Sequence, residues 1–230
     1  NNTNDYIDTG AGNDTINGGA GVDTISAGDG DDTITLVSGA GANYIIDGGL
    51  GVDTINISAI TQGGAAGHTR WSLSASGADT VAGVVHYNSS YAEVSAYVTA
   101  IASGTAHLQF NNHPTTGNNW LTQVNIKDVE NWNILAGSGY ADLLIVKGVN
   151  TQYHGGAHLA HAADTLYANW SAASNAITWV NNPAQTQVVN DVTISGIERM
   201  LIATGSGNDS IDNTYTGNNT NDYSDTGAGN

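Results

Sequence analysis

The 230-residue chain carries 21 acidic and four basic residues, a formal net charge of −17, with 30 glycines, two prolines and no cysteine. Such a surface repels nucleic acid and anionic membranes, so neither is an expected partner. The lack of cysteine excludes disulfides, thiolate metal sites and cysteine nucleophiles, and no stretch reaches the ~18 apolar residues of a membrane helix.

No initiator methionine, basic n-region or signal h-region is present, and the chain reads as part of a longer protein. The acidity is nearly all aspartate; glutamate occurs only at Glu93, Glu130 and Glu198. Nine aspartates fall within residues 1–56 and four more in the last 22 residues, in the same places as the glycine-rich turns.

Those turns have a period. TGAGNDTIN (9–17), GGAGVDTIS (18–26) and AGDGDDTIT (27–35) follow one another without a gap. SGAGANYII (38–46) comes after two inserted residues and GGLGVDTIN (48–56) after one more, and TGSGNDSID (204–212) is a distant copy. Glycine in each turn permits positive φ and close backbone approach. The tail after the aspartate predicts a short strand with one inward apolar residue: Ile16, Ile25, Ile34, Ile45 or Ile55.

Two nonapeptides make a coil of 18 residues, so turns two repeats apart stack about 4.8 Å apart on the same edge. This predicts one column of Asp14, Asp32 and Asp53 and another of Asp5, Asp23 and Asn43. Stacked carboxylates repel without a counter-ion. An oxygen-only ligand set with several nearby carbonyls suits Ca²⁺ better than Mg²⁺, which prefers a smaller site and keeps its waters. Several calcium ions are therefore expected. The candidate side-chain ligands are the six column residues together with Asp142, Asp209 and Asp222. The turn glycines are Gly10, Gly12, Gly19, Gly21, Gly28, Gly30, Gly39, Gly41, Gly49, Gly51, Gly205 and Gly207.

The pattern x-G-x-G-x-D-x-U-x, with U apolar, resembles the RTX nonapeptides of secreted calcium-binding proteins. The resemblance covers about 1–56 and 204–230 and implies a parallel β-roll and an extracellular or cell-surface location. The expected fold is mainly β: a parallel β-roll or β-solenoid flanking a β-rich middle with two related modules and one short helix. The expected segments are a calcium roll at 1–56, a first module with an insertion at 57–147, a second module at 148–203, and a continuing RTX-like segment at 204–230.

In the middle, 126–144 aligns with 194–211 at an offset of 68, matching Glu130 with Glu198 and Asp142 with Asp209. GVDTINIS (51–58) is likewise similar to AADTLYANWS (162–171). Within the insertion, Ser90 and Glu93 have capping-box spacing, and Tyr91, Val94, Val98 and Ile101 share one helical face, with Gly104 as a stop. Strands are expected at 69–74, 81–87, 106–110, 119–126, 131–135, 143–146, 164–170, 176–180 and 187–194, where Thr, Val, Ile and Trp suit half-buried sheet.

His154, His158 and His161 have a spacing that could hold a transition metal, but no HExxH motif accompanies them. No nucleophile elbow, phosphate loop or dinucleotide fingerprint occurs. Four scattered basic residues are a poor start for a polysaccharide-cleaving site, so the chain is not expected to be an enzyme. Finally, NNTNDYIDTGAGN (1–13) returns as NNTNDYSDTGAGN (218–230), with one difference at Ile7 and Ser224. Read as a period, this predicts neighbouring copies of the same unit as partners, in a calcium-stabilised filament, adhesin stalk or surface layer. The alternatives are a glycan- or ice-binding module, with Trp120 or Trp179 as a sugar platform, and an RTX-tailed carbohydrate-active enzyme.

Overall fold

The computed structural model describes residues 4–19, 21, 23–37, 42–58, 68–74, 84–85, 89–102, 107–113, 122–135, 143–156, 163–214 and 222–227. The first half contains β1 (Tyr6–Asp8), β2 (Thr15–Asn17), β3 (Thr24–Asp29), β4 (Thr33–Val37), β5 (Ala42–Leu50) and β6 (Thr54–Ser58). Next come β7 (His68–Ser74), β8 (Val84–Val85), α1 (Tyr91–Ala102), β9 (His107–His113), β10 (Thr122–Lys127) and β11 (Asn131–Leu135). The second half has β12 (Leu143–Ile145), β13 (Gln152–His154), β14 (Thr165–Asn169), β15 (Thr178–Val180) and β16 (Gln187–Val189). It closes with β17 (Val192–Ser195), β18 (Arg199–Ala203), β19 (Ser210–Asp212) and β20 (Tyr223–Asp225).

The fold is mainly β and is a parallel roll. Successive short strands alternate between two sheets because each glycine turn reverses the chain after only a few residues. One face runs β1-β3-β5-β10 and the other β2-β4-β6-β11-β13-β17, with every neighbour in these runs parallel. Alternation of side chains along each strand sends one set inward. Ile16, Ile25, Ile34, Ile55, Ile57, Trp132 and Ile134 form the core between the faces. From β12 onward the chain also forms a further parallel sheet, β12-β14-β18-β20, and the parallel pair β15-β19. The ladder thus passes from the first expected segment through the second and third without a break in pairing at β6–β11 or β11–β13.

The insertion sits at the edge of the roll. Its strands join antiparallel beyond β10, in the order β10-β9-β7-β8. Helix α1 begins with the expected capping box: Ser90 N–H donates to Glu93 Oε2 at 2.7 Å and Glu93 N–H to Ser90 Oγ at 3.3 Å. Val94 is fully buried, and the Tyr91 ring lies 5.0 Å from that of Tyr167.

Two sequence expectations fail on register. The span 187–194 is not one strand but a hairpin, in which Val189 pairs with Val192 across Asn190 and Asp191. Both turn residues have positive φ, 46° and 60°, the geometry that a two-residue hairpin turn requires. The coil repeat is 18 residues from Asp14 to Asp32, but 21 from Asp32 to Asp53. All three extra residues are taken up before Tyr44, since Thr24 pairs with Ile45 and Thr35 with Asn56. The fourth repeat is therefore one residue out of phase. Tyr44 and Ile46 point inward, at 0% and 1% exposure, and Ile45 points outward at 49%. A one-residue slip inverts every side chain of a strand, and burying a Tyr with an Ile covers more apolar surface than a single Ile does. In urea with saturating calcium, Ile46→Ala should lower the unfolding free energy by about 2–5 kcal/mol and Ile45→Ala by less than about 1 kcal/mol. The reverse order would contradict the register.

Candidate metal centres

Most turns of the roll end in an acidic residue, and these residues hold successive coils together by a repeated hydrogen bond. Asp32 Oδ1 accepts the backbone N–H of Asp14 at 2.8 Å, Asp53 Oδ1 accepts that of Asp32 at 2.8 Å, and Glu130 Oε2 accepts that of Asp53 at 2.9 Å. On the other edge Asp23 Oδ1 accepts the N–H of Asp5 at 3.0 Å. The arrangement returns in the second half, where Glu198 Oε2 accepts the N–H of Asp164 at 2.8 Å. Asp209 Oδ1 accepts from Ile177 at 2.7 Å and Asp222 Oδ1 from Met200 at 2.9 Å.

One carboxylate oxygen is thereby used to cap the coil before it. The second is not. Asp14, Asp23, Asp32, Asp53 and Asp209 each keep a buried Oδ2 that meets no hydrogen-bond donor among the described residues. Asp23, Asp32 and Asp53 are at most 1% exposed. The backbone comes very close to these oxygens: a Cβ added at Gly18 would lie 2.6 Å from Asp23 Oδ2, and one at Gly48 2.5 Å from Asp53 Oδ2. Burying a carboxylate oxygen without a partner is costly. At Asp53 burial pushes the carboxyl up, and the charges of Asp32, Glu130 and Asp31 add to this, while only the Asp32 N–H acts the other way. Lys127, at 3.0 Å from Asp47 and 2.8 Å from Asp128, binds those residues rather than the column.

The chemistry fits a hard cation. The donors are all oxygen, they are stacked one coil apart, and a divalent ion between them would remove both the repulsion and the orphaned lone pairs. Among the described residues no group of three or more His, Asp or Glu converges on one point. The carboxylates are presented in stacked pairs, so backbone carbonyls of the turns would complete an ion's shell. Ca²⁺ accepts such a mixed, flexible oxygen set.

The parallel roll with buried carboxylate columns is a solenoid whose turns suit a hard cation, and the comparison with known families names calcium for its first coils. Residues 1–34 match the RTX calcium-binding nonapeptide repeat, in four copies, and this stretch is an RTX repeat segment. It contains Asp5, Asp14, Asp23 and Asp32, the first two members of each column. Neither a curated protein nor a solved structure matches the chain.

Most of the expected residues lie where the nonapeptide puts them. Asp14, Asp32 and Asp53 form one column and Asp5 with Asp23 the other. Gly10, Gly12, Gly19, Gly21, Gly28, Gly30, Gly49 and Gly51 all have positive φ. Gly205 and Gly207 do not have positive φ; close approach requires them instead, since each packs against a carbonyl, that of Ala173 and that of Asn175. Asp142, Gly39 and Gly41 lie outside the described residues.

Asn43 is a correction. The shift that buries Tyr44 places Tyr44, not Asn43, next in line after Asp23, while Asn43 pairs along its backbone with Gln123. The Asp5–Asp23 column does not continue through Asn43. Trp179 is no sugar platform: it is 1% exposed, and its Nε1 donates to Gln187 Oε1 at 3.2 Å. Trp120, His158 and His161 lie outside the described residues, and His154 Nδ1 is 2.6 Å from Ser195 Oγ.

The residues missed are Glu130 and Glu198, which take the aspartate's place where the nonapeptide has been lost. The signal was present in the alignment of the two modules. Glu130 and Asn131 both donate their N–H to Asp53 O, and Glu198 and Arg199 both donate to Asp164 O.

Two predictions test the columns. Gly12→Ala and Gly28→Ala both force a side chain to positive φ, 129° and 110°, but only at Gly28 does the new Cβ run into a backbone carbonyl, that of Gly10. Thermal melts in calcium should find Gly12→Ala costing about 1–3 kcal/mol and Gly28→Ala costing more. For Asp53→Asn the effect should change sign with calcium. A carboxyl whose folded pKa is raised contributes stability that is fully present below its unfolded pKa and is lost as pH rises through the folded one. At pH 7 in chelator the variant should therefore melt above the parent, with the gain vanishing near pH 4. In calcium it should melt below.

Proposed function

We propose that the chain is a calcium-folded structural repeat unit of an extracellular filament, adhesin stalk or surface layer, with no catalytic role. The observation that carries this reading is the set of buried Asp Oδ2 atoms without donors, repeated coil after coil along the turns. An isolated binding site would need one such group; a column of them makes the ion part of the framework. The RTX match at 1–34 supports calcium as the ion, and RTX repeats are typical of secreted proteins. Among the described residues no helix is long and apolar enough to cross a membrane.

The mechanism follows from linkage. Where calcium is scarce, carboxylate repulsion works against closing the repeats and shifts the chain toward its unfolded state. Outside the cell, at about millimolar calcium, sites of the extracellular affinity class (Kd ~10⁻⁴–10⁻³ M) fill, and their binding free energy becomes folding free energy. Asp14, Asp23, Asp32 and Asp53 hold the ions in the first half of the roll, and the strand–turn alternation transmits the order to β5 and β6. A ligand at 100 times its Kd stabilises the folded state by about 2.7 kcal/mol per site.

Far-ultraviolet circular dichroism during a calcium titration tests this. Strand signal should appear cooperatively between about 0.1 and 10 mM calcium, and excess chelator should lower the melting temperature or abolish the transition. A melting temperature unchanged by chelator would overturn the reading.

A further inference from the structure

The repeated segment is present twice in the described structure, as residues 5–10 and as residues 222–227, and the two copies bond differently. In the first copy, Asp5 O accepts the N–H of Thr24 at 2.9 Å and Thr9 N–H donates to Ser26 O at 3.2 Å. In the second, Asp225 O accepts the N–H of Thr204 at 2.8 Å. Asp225 is the equivalent of Asp8. Along a strand successive residues direct their backbone groups to opposite edges. Asp5 and Thr9 thus bond through one edge and Asp225 through the other.

The side chains and turns agree. Asp5 donates its N–H to the carboxylate of the coil after it, Asp23, at 3.0 Å. Its equivalent Asp222 accepts, through Oδ1, the N–H of the coil before it, that of Met200, at 2.9 Å. Gly28 packs on the carbonyl of Gly10, and Gly227, the equivalent of Gly10, packs on that of Gly205. Tyr6 is 72% exposed in the first copy, whereas its equivalent Tyr223 stacks on Tyr91 at 4.6 Å and is 39% exposed.

We infer that this segment is a shared coil: residues 218–230 of one unit are also residues 1–13 of the next, so that consecutive units form one uninterrupted solenoid. The partner is a second copy of this chain, joined so that Asn230 is followed by the equivalent of Asp14. Among the described residues, the backbone bonds named above for the first copy run to the coil after it and those for the second run to the coil before it. The joint extends the carboxylate ladder from Met200 through Asp222 to Asp23 of the following unit. It also places the Tyr6 position under Tyr91. This inference rests on the repeat-unit reading above, but it has its own readout.

Three chains are to be melted in the same excess of calcium: residues 1–230 alone, residues 1–230 followed directly by 14–230, and two full chains separated by a flexible Gly/Ser linker. The shared-coil chain should unfold in one transition at least about 5 °C above the single chain, and the linked chain at the single-chain midpoint. Ser224→Ile at the joint should raise the shared-coil midpoint further, since Ile7 packs on the core in the first copy. Equal midpoints for the shared-coil and linked chains would overturn the inference, as would a shared-coil chain that fails to fold while the linked one folds. Either result would leave calcium-dependent folding of the single chain standing. Melts insensitive to calcium would sink that reading, while the comparison of midpoints would still decide the joint.

Discussion

The structure depends on a carboxylate oxygen that caps the backbone of the coil before it. Asp14, Asp32, Asp53 and Glu130 are linked this way in a single file, each at hydrogen-bond distance from its neighbour's N–H. The bond fixes the height of one coil on the next, and with it the strand register on both faces. It also brings negative charges to the spacing of neighbouring strands. The bond that builds the roll thus creates the repulsion that the roll must relieve, and a divalent cation relieves it at the second oxygen. Hydrophobic burial alone does not remove that cost, because the isoleucine core lies beside the columns and cannot neutralise them.

This division of labour explains the composition. Glycine and aspartate serve the turns, single isoleucines serve the core, and little of either sheet face needs charge. Where the nonapeptide pattern is lost, the roll does not end. Glu130 and Glu198 continue the capping from a longer side chain, and Asp128 and Gly196 supply positive φ, 49° and 64°, at matching places just before them. The insertion between β6 and β10 leaves the ladder intact because β10 and β11 return to pair with β5 and β6. An insertion is tolerated in a solenoid when its two ends come back one coil higher.

The roll, the phase of its first three repeats and most of its carboxylate columns were legible in the sequence because they rest on local periodicity. Asp14, Asp32 and Asp53 could be stacked from repeat length alone, and Ser90 with Glu93 announced the helix. What could not be read was where extra residues are absorbed. Counting the insertions as two before residue 38 and one before residue 48 put Asn43 in line, whereas burial of Tyr44 and Ile46 decides the phase in the folded chain. Tertiary packing sets that choice. Glu130 and Glu198 were visible as an aligned pair, but their role emerges only when Asp53 and Asp164 are seen beneath them. The hairpin at Asn190–Asp191 was hidden because its flanking residues read as one continuous strand.

The central claim is that the second oxygens of the column aspartates hold ions. A crystal grown in calcium and measured for anomalous scattering tests it most directly. The account predicts anomalous peaks about 2.3–2.6 Å from Oδ2 of Asp14, Asp32 and Asp53, with turn carbonyls completing the shell. Well-ordered columns whose Oδ2 atoms are met only by water or by a shared proton, with no anomalous peak, would contradict it.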